Sequence, residues 1–240
     1  MGSVLNTVPM DETGGVEYAE VARAETERGE LVLRSRRPES APEVLELRAN
    51  GVFVMDTAET TSERALASAA LDLVDSPATV LVGGLGLGFT MREVLADPRV
   101  ERCTVVEIEQ ALVDWMRDGT IPHGPAMLAD QRLNVVVNDV AMAFAEADEV
   151  AYDLVLLDVD NGPGYLVHDA NALLYRAPFL RDVRRVTRQA LVIWSAATSA
   201  ELEEALAEVF DEVRALPYDV RLGERSETYW LYVARVASAA

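Results

Sequence analysis

Five apolar runs, the first four ending in glycine or an acid, dominate residues 78–212. They read TVLVG (79–83), CTVVE (103–107), LNVVVND (133–139), DLVLLD (153–158) and ALVIW (190–194). Such runs lack the in-out alternation of a half-exposed strand, so they predict strands buried on both faces. The segments between them predict helices at 89–96, 109–117, 140–147, 178–187 and 200–212. Pro178 suits a first helical position. Thr198-x-x-Glu201 reads as a capping box ahead of a buried stripe of Leu202, Leu206, Val209 and Phe210. Strand and helix in alternation predict a doubly wound, mostly parallel sheet with right-handed crossovers. Two more strands, near 213–219 and 227–235, are expected to close it as an antiparallel edge.

The first third reads differently. Residues 1–15 have the look of a flexible tail. From Val16 to about Asp56 the pattern is strand-like, with ELVLR at 30–34, VLELR at 44–48 and VFVMD at 52–56. Asn50-Gly51 is a two-residue hairpin turn. Thr61–Leu73 predicts a helix, with Leu66, Ala69, Ala70 and Leu73 on one stripe. The expected division is a tail (1–15), a small antiparallel β domain with a linking helix (16–77) and a Rossmann-like domain (78–240).

Composition narrows the function. Half of the 240 residues are apolar, enough for a packed core. The 41 acids outweigh 21 basic residues, all arginine, for a net charge of −20. Binding to nucleic acid or an anionic membrane rests on neutralising phosphate, so both are excluded as partners. No apolar run approaches the roughly 20 residues of a membrane span. The N-terminus lacks a basic region followed by an apolar one, so a cytoplasmic protein is expected. A single cysteine, Cys103, excludes an intramolecular disulfide and a cysteine-based zinc cluster, and no metal is expected.

Chemistry concentrates where the strands end. The first run enters GGLGLG (83–88) and then a helix. Gly84, Gly86 and Gly88 permit a tight turn and close approach of a ligand, with free helix N–H groups beyond. Alone, such a loop is often only a turn. Glu107 ends the second strand, 23 residues past Gly84, where a carboxylate receives ribose hydroxyls. Asp139 follows the third strand. Its carboxylate suits an adenine amino group and the Val140 N–H a ring nitrogen, while the plainer role is a helix N-cap. Asp158-Val159-Asp160-Asn161-Gly162-Pro163 follows the fourth strand.

In the order VLVGGLGLGFTMREVL, VVEIE, VVVNDV and LVLLDVDNGP, the chain resembles the spermidine synthase (polyamine aminopropyltransferase) family within the class I S-adenosylmethionine-dependent methyltransferase superfamily. The resemblance covers about residues 16–235. It implies a seven-stranded methyltransferase fold with a small N-terminal β domain, and a homodimer. It also implies an adenosyl pocket of Gly84, Gly86, Gly88, Glu107, Ile108, Asp139, Val140 and Asp158. Three departures stand out. The family's loop reads GGGDGG, and aligned on Arg92-Glu93-Val94 its aspartate falls on Leu87. The family's D-x-x-D-P loop becomes Asp158-Val159-Asp160-Asn161. A Tyr-His-Glu stretch becomes TTSERALAS, where Glu63 is the sole acid.

With polyamine-holding groups mostly replaced, the sequence favours intact S-adenosylmethionine and methyl transfer to a small cationic or neutral acceptor. Asp158 and Asp160 are the expected catalytic carboxylates. The alternative is aminopropyl transfer from decarboxylated S-adenosylmethionine, and a further one is a non-catalytic nucleotide-binding protein. Glu63, Asn161, Tyr165, His168 and Tyr175 are weaker candidates for substrate contact. His123 reads as loop, and Trp194 as either pocket wall or core. Arg181, Arg184, Arg185 and Arg188 read as a solvated face. Leu133–Tyr175 carries eight acids and no arginine, which favours a cationic or neutral acceptor by steering.

Overall fold

The computed structural model describes residues 16–38, 42–159, 162–164, 166, 168–222 and 225–237. The tail expected at 1–15 lies outside them. The chain divides into two compact units between Thr60 and Thr61. The helix expected to belong with the β domain therefore starts the larger unit instead.

The small unit is one antiparallel sheet of β1 (Val16–Thr26), β2 (Gly29–Pro38), β3 (Val44–Ala49) and β4 (Val52–Asp56), in that order. Asn50 and Gly51 take φ of 51° and 77°, the left-handed pair that a tight hairpin requires. Asn50 also ties the two hairpins. Its Oδ1 accepts the Glu30 N–H at 2.9 Å and its Nδ2 donates to Arg28 O at 3.1 Å. One face carries the buried Leu31, Leu33, Leu47 and Ala49. On the other, the buried Glu46 accepts from Arg34 at 2.7 Å and Arg48 at 2.6 Å.

The large unit is a seven-stranded sheet in the order β10-β11-β9-β8-β5-β6-β7. Its strands are β5 (Thr79–Gly83), β6 (Arg102–Glu107), β7 (Leu133–Val137), β8 (Tyr152–Leu157), β9 (Thr187–Ser195), β10 (Glu212–Leu222) and β11 (Arg225–Arg235). β5 to β9 pair in parallel, and β11 pairs antiparallel with both β9 and β10. The helices are α1 (Thr61–Asp72), α2 (Phe89–Ala96), α3 (Gln110–Asp118), α4 (Gly124–Leu128), α5 (Val140–Glu146), α6 (Ala177–Val186) and α7 (Ala200–Val209). A 3-10 helix (Asp169–Tyr175) and α4 are elements that the apolar pattern did not predict. Ser199, not Thr198, caps α7, accepting the Leu202 N–H at 3.2 Å.

One sheet face contributes Leu81, Val106, Val155, Leu157, Leu191 and Ile193 to a core shared with α5, α6 and α7. Phe144 of α5 meets Phe179 of α6 edge to face, centroids 5.6 Å apart. Val82, Leu156 and Val192 point to the opposite face and are equally buried.

Arginine does structural work that its placement in sequence conceals. Arg185 donates to Phe144 O at 2.6 Å and Ala147 O at 2.7 Å, closing the C-terminus of α5. Arg99 donates to Leu71 O and Val74 O at the end of α1, and Arg132 to Leu95 O at the end of α2. Terminal carbonyls lack helical partners, and a cationic fork there also meets the negative end of the helix dipole. Arg188 pairs at 2.7 Å with the buried Asp153, which also accepts from Thr79. The solvated face expected for these arginines thus fails at Arg185, while Arg188, on β9 rather than on α6, stays exposed as it pairs.

Candidate active site

The site is built where β8, β5, β6 and β7, neighbours in the sheet, reach their carboxyl ends. The ladder runs one step past the strands. Gly84 N–H donates to Val106 O at 2.9 Å, Asp158 N–H to Gly83 O at 2.8 Å, and Asn138 N–H to Glu107 O at 3.0 Å. These bonds bring the loops after all four strands to one edge, the usual place for a ligand in an open α/β sheet.

The Gly-rich loop leaves β5 with φ of +94°, +50° and +87° at Gly84, Gly86 and Gly88. The protein's own packing demands Gly84, whereas at Gly88 it sets only flexible methionine ends against a side chain. A Cβ on Gly84 would lie 2.1 Å from the Asp158 carbonyl oxygen, and one on Gly88 would lie 2.9 Å from Met116 Cε and 3.0 Å from Met127 Sδ. Close backbone approach to a ligand is therefore not the only reason for this composition.

Glu107 is 7% exposed and holds the loop from below. Its Oε2 accepts the Leu85 N–H and its Oε1 the Glu109 N–H, both at 2.8 Å. Burial pushes its carboxyl above the usual range, partly countered by those bonds. Ile108, beside it, is exposed. Asp139 is the N-cap of α5, accepting the Ala141 N–H at 2.7 Å with Oδ1. The Val140 side chain is core.

Asp158 stands at the end of β8. Its Oδ2 accepts from Thr90 Oγ1 at 2.8 Å, and that hydroxyl lies 3.4 Å from Glu63 O at the start of α1. One hydroxyl proton serves one acceptor at a time, and the shorter contact holds it. Desolvation again raises the carboxyl, with the Thr90 bond opposing. Glu63 Oε2 accepts from Ser62 Oγ at 2.8 Å. Thr90, 3% exposed, joins these groups and was missed in the sequence. The available signal was a lone polar residue on the stripe Thr90, Met91, Val94 and Leu95 that α2 buries.

The structure thus brings Gly84, Gly86, Gly88, Glu107, Asp139 and Asp158 to one edge, with the backbone carbonyl of Glu63 near Thr90 and its carboxylate turned to Ser62. Asp160, Asn161 and Tyr165 lie outside the described residues. Tyr175 is 6% exposed and belongs to the main core cluster. His168 is half-buried at the start of the 3-10 helix. Trp194 is half-buried against Tyr229, ring centroids 5.0 Å apart, and its indole N–H has no partner among the described residues. Leu87 is fully buried. Among the described residues no helix is long and apolar enough to cross a membrane.

This sheet order, with an antiparallel strand inserted beside the last parallel one, defines a Rossmann-like fold of the methyltransferase type, with a Gly-rich loop over a buried acid. The fold of a spermidine synthase from Thermotoga maritima is similar, with TM-score 0.72 and 15% identity over 91% of this chain and 73% of that one. A spermidine synthase in complex with the transition-state analogue AdoDATO matches with TM-score 0.74, also at 15% identity, over 91% and 74%. The profile of the spermine/spermidine synthase domain matches residues 59–215, and the chain belongs to that family. Putrescine N-methyltransferase 3 of Nicotiana tabacum is 30% identical over 129 residues, 54% of this chain and 32% of that protein. A polyamine aminopropyltransferase of Saccharolobus solfataricus is 27% identical over 153 residues, 60% of this chain and 50% of that protein. The matched stretch spans about a third to a half of these relatives.

Proposed function

We propose that the chain transfers an alkyl group from an adenosyl sulfonium donor to the amine of a small cationic or neutral acceptor. Aminopropyl transfer from decarboxylated S-adenosylmethionine is the reading with most support, from the family and the aminopropyltransferase relatives. The methyl transfer favoured in the sequence becomes the second reading. The observation that carries the proposal is the pair of desolvated carboxylates, Glu107 and Asp158, ending β6 and β8 on either side of the Gly84–Gly88 loop.

The residues fit such a donor. Glu107, already anchored by two amides, retains lone pairs for ribose hydroxyls. The second carboxylate oxygen of Asp139 suits an adenine amino group, with Ile108 against the ring. When bound, the donor supplies a carbon attached to a positively charged sulfur. Asp158, raised by burial and steadied by Thr90, takes a proton from the acceptor's ammonium. The freed amine then attacks that carbon: a C–N bond forms, the C–S bond breaks and its electron pair stays on sulfur. The remainder is placement, which supplies much of the rate in reactions of this kind.

Methyl transfer keeps one specific observation in its favour. Leu87, where the family's aspartate falls, is fully buried, so that position offers no countercharge for the donor's amino end. Incubation of the protein and 1,4-diaminobutane with each donor separately, read by mass spectrometry, decides the matter. Methylthioadenosine formed from the decarboxylated donor supports the first reading, and S-adenosylhomocysteine formed only from the intact donor supports the second. Binding of both donors without turnover across an amine panel would return the chain to a nucleotide-binding role.

A further inference from the structure

The chain has two histidines, and His123, which reads in sequence as plain loop, reaches the Gly-rich loop. The segment carrying it is tightly built. Gly119 ends α3 at φ 85°. Ile121 is fully buried and donates its N–H to Trp115 O at 2.8 Å. Gly124 N–H donates to Ile121 O at 2.9 Å, and a Cβ on Gly124 would lie 2.1 Å from Met116 O, so α4 can start this close to α3 only with glycine. This frame places the imidazole 5.4 Å from the Phe89 ring and its Nε2 2.8 Å from the Leu87 carbonyl oxygen. A carbonyl only accepts, so Nε2 carries the proton.

The peptide between Leu87 and Gly88 is therefore held at both ends. Its carbonyl is tied to His123, and its N–H donates to Leu85 O at 2.9 Å. Two further anchors of the loop, Gly84 N–H on Val106 and Leu85 N–H on Glu107, belong to the sheet edge. His123 supplies an anchor from a separate segment, at the last peptide before α2.

Building on the donor site proposed above, we infer that His123 is a positioning residue: its Nε2–H bond to Leu87 holds the Gly-rich loop in the conformation that binds the donor. Without it the peptide turns more freely, and apparent affinity falls with the fraction of loops in the competent state. Asp158 and Thr90 are untouched, so turnover at saturating donor stays close to wild type.

The test compares His123→Ala with His123→Gln, whose amide still donates, by calorimetric titration with methylthioadenosine and S-adenosylhomocysteine. Alanine is expected to raise the Kd of the better probe by about 5- to 10-fold, the worth of one hydrogen bond, and glutamine by less than about 2-fold. Wild-type affinity in the alanine variant, or equal weakening in both variants, overturns the inference. So does a fall in Tm without any change in Kd. Nitrogen NMR of the two imidazoles gives a readout independent of binding. His123 is expected as the Nε2-protonated tautomer, and an Nδ1-protonated ring would refute the clamp. If the wild type binds neither probe, the donor-site reading fails, while the tautomer still decides the clamp.

Discussion

Replacing Gly84 by alanine separates two reasons for a glycine at the start of the loop. If that glycine only admits a ligand, Gly84→Ala keeps its stability and loses donor binding. The geometry argues otherwise, because the added Cβ meets the Asp158 carbonyl oxygen at 2.1 Å, against a floor of 3.0 Å for real contacts. The end of β8 must retreat by about 0.9 Å, although its Asp158 N–H is tied to Gly83 O at 2.8 Å. A left-handed φ adds roughly 1–2 kcal/mol for a residue with a Cβ, and forced displacement in a packed region adds roughly 1–3 kcal/mol. The ligand-free protein should therefore lose roughly 2–5 kcal/mol, or about 5–15 °C in Tm for a domain of this size. Gly88→Ala is the control. Its new Cβ meets only the far ends of Met116, Met127 and Met91, flexible side chains that move aside, so mainly the backbone effect of roughly 1–2 kcal/mol remains. Thermal and urea unfolding without ligand measure both variants. A Gly84→Ala protein within about 2 °C of wild type, or a Gly88→Ala protein as badly affected, would refute the reasoning.

Asp158→Asn should change the pH dependence of stability. Burial holds the folded carboxyl of Asp158 above the ordinary carboxylate range, so its favourable contribution is complete below about pH 4 and is lost as pH rises through the folded value. Relative to wild type, the asparagine variant should gain stability from about pH 4 upward until a plateau, while turnover falls about 10²- to 10⁴-fold. Parallel Tm–pH curves for the two proteins would sink this. Arg185→Met uncaps α5 and should lose about 1–2 kcal/mol; Arg185→Lys, a point charge without the fork, should recover less than half, as urea titration can show. Cys103 is fully buried and pushed up to about 12 by desolvation, so Ellman's reagent at pH 8 should find no thiol until denaturant is added. Immediate reaction of the native protein would contradict that burial.

What was legible in sequence follows from how local its cause is. TVLVG at 79–83 is β5 to the residue and FTMREVLA at 89–96 is α2, because apolar runs and helical periodicity write themselves in a short window. The carboxylates ending β6 and β8 were legible for the same reason, since a strand end predicts its own place at the sheet edge. Thr90, His123 and the arginine caps were not, because each depends on a partner far along the chain: Thr90 on Asp158, His123 on Leu87, Arg185 on Phe144. The charge argument also changes. Of the eight acids between Leu133 and Tyr175, Asp153 is neutralised by Arg188 and Asp139 caps a helix. The field at the site rests on fewer free carboxylates than the count implied.

Leu87 is where the two readings of the chemistry meet, and changing it tests more than either alone. Restoring the acid, Leu87→Asp, makes the loop look more like that of the family it resembles. If the side chain faced the donor, the variant would bind decarboxylated S-adenosylmethionine more tightly at little expense to the fold. In this structure the position is fully buried, and its backbone carbonyl is held by His123. A carboxyl placed there leaves water without a described cation to meet it, and must either stay protonated or disturb the loop. The expected outcome is a loss of about 2–4 kcal/mol in unfolding free energy at pH 7, in the range typical of a buried unpaired polar group. That loss should shrink as pH falls and the carboxyl is neutralised, with no gain in affinity for the decarboxylated donor. A stable variant that prefers the decarboxylated donor would show instead that the position opens toward the site. The wild-type leucine would then be withholding a countercharge from the decarboxylated donor, which strengthens the methyl-transfer reading.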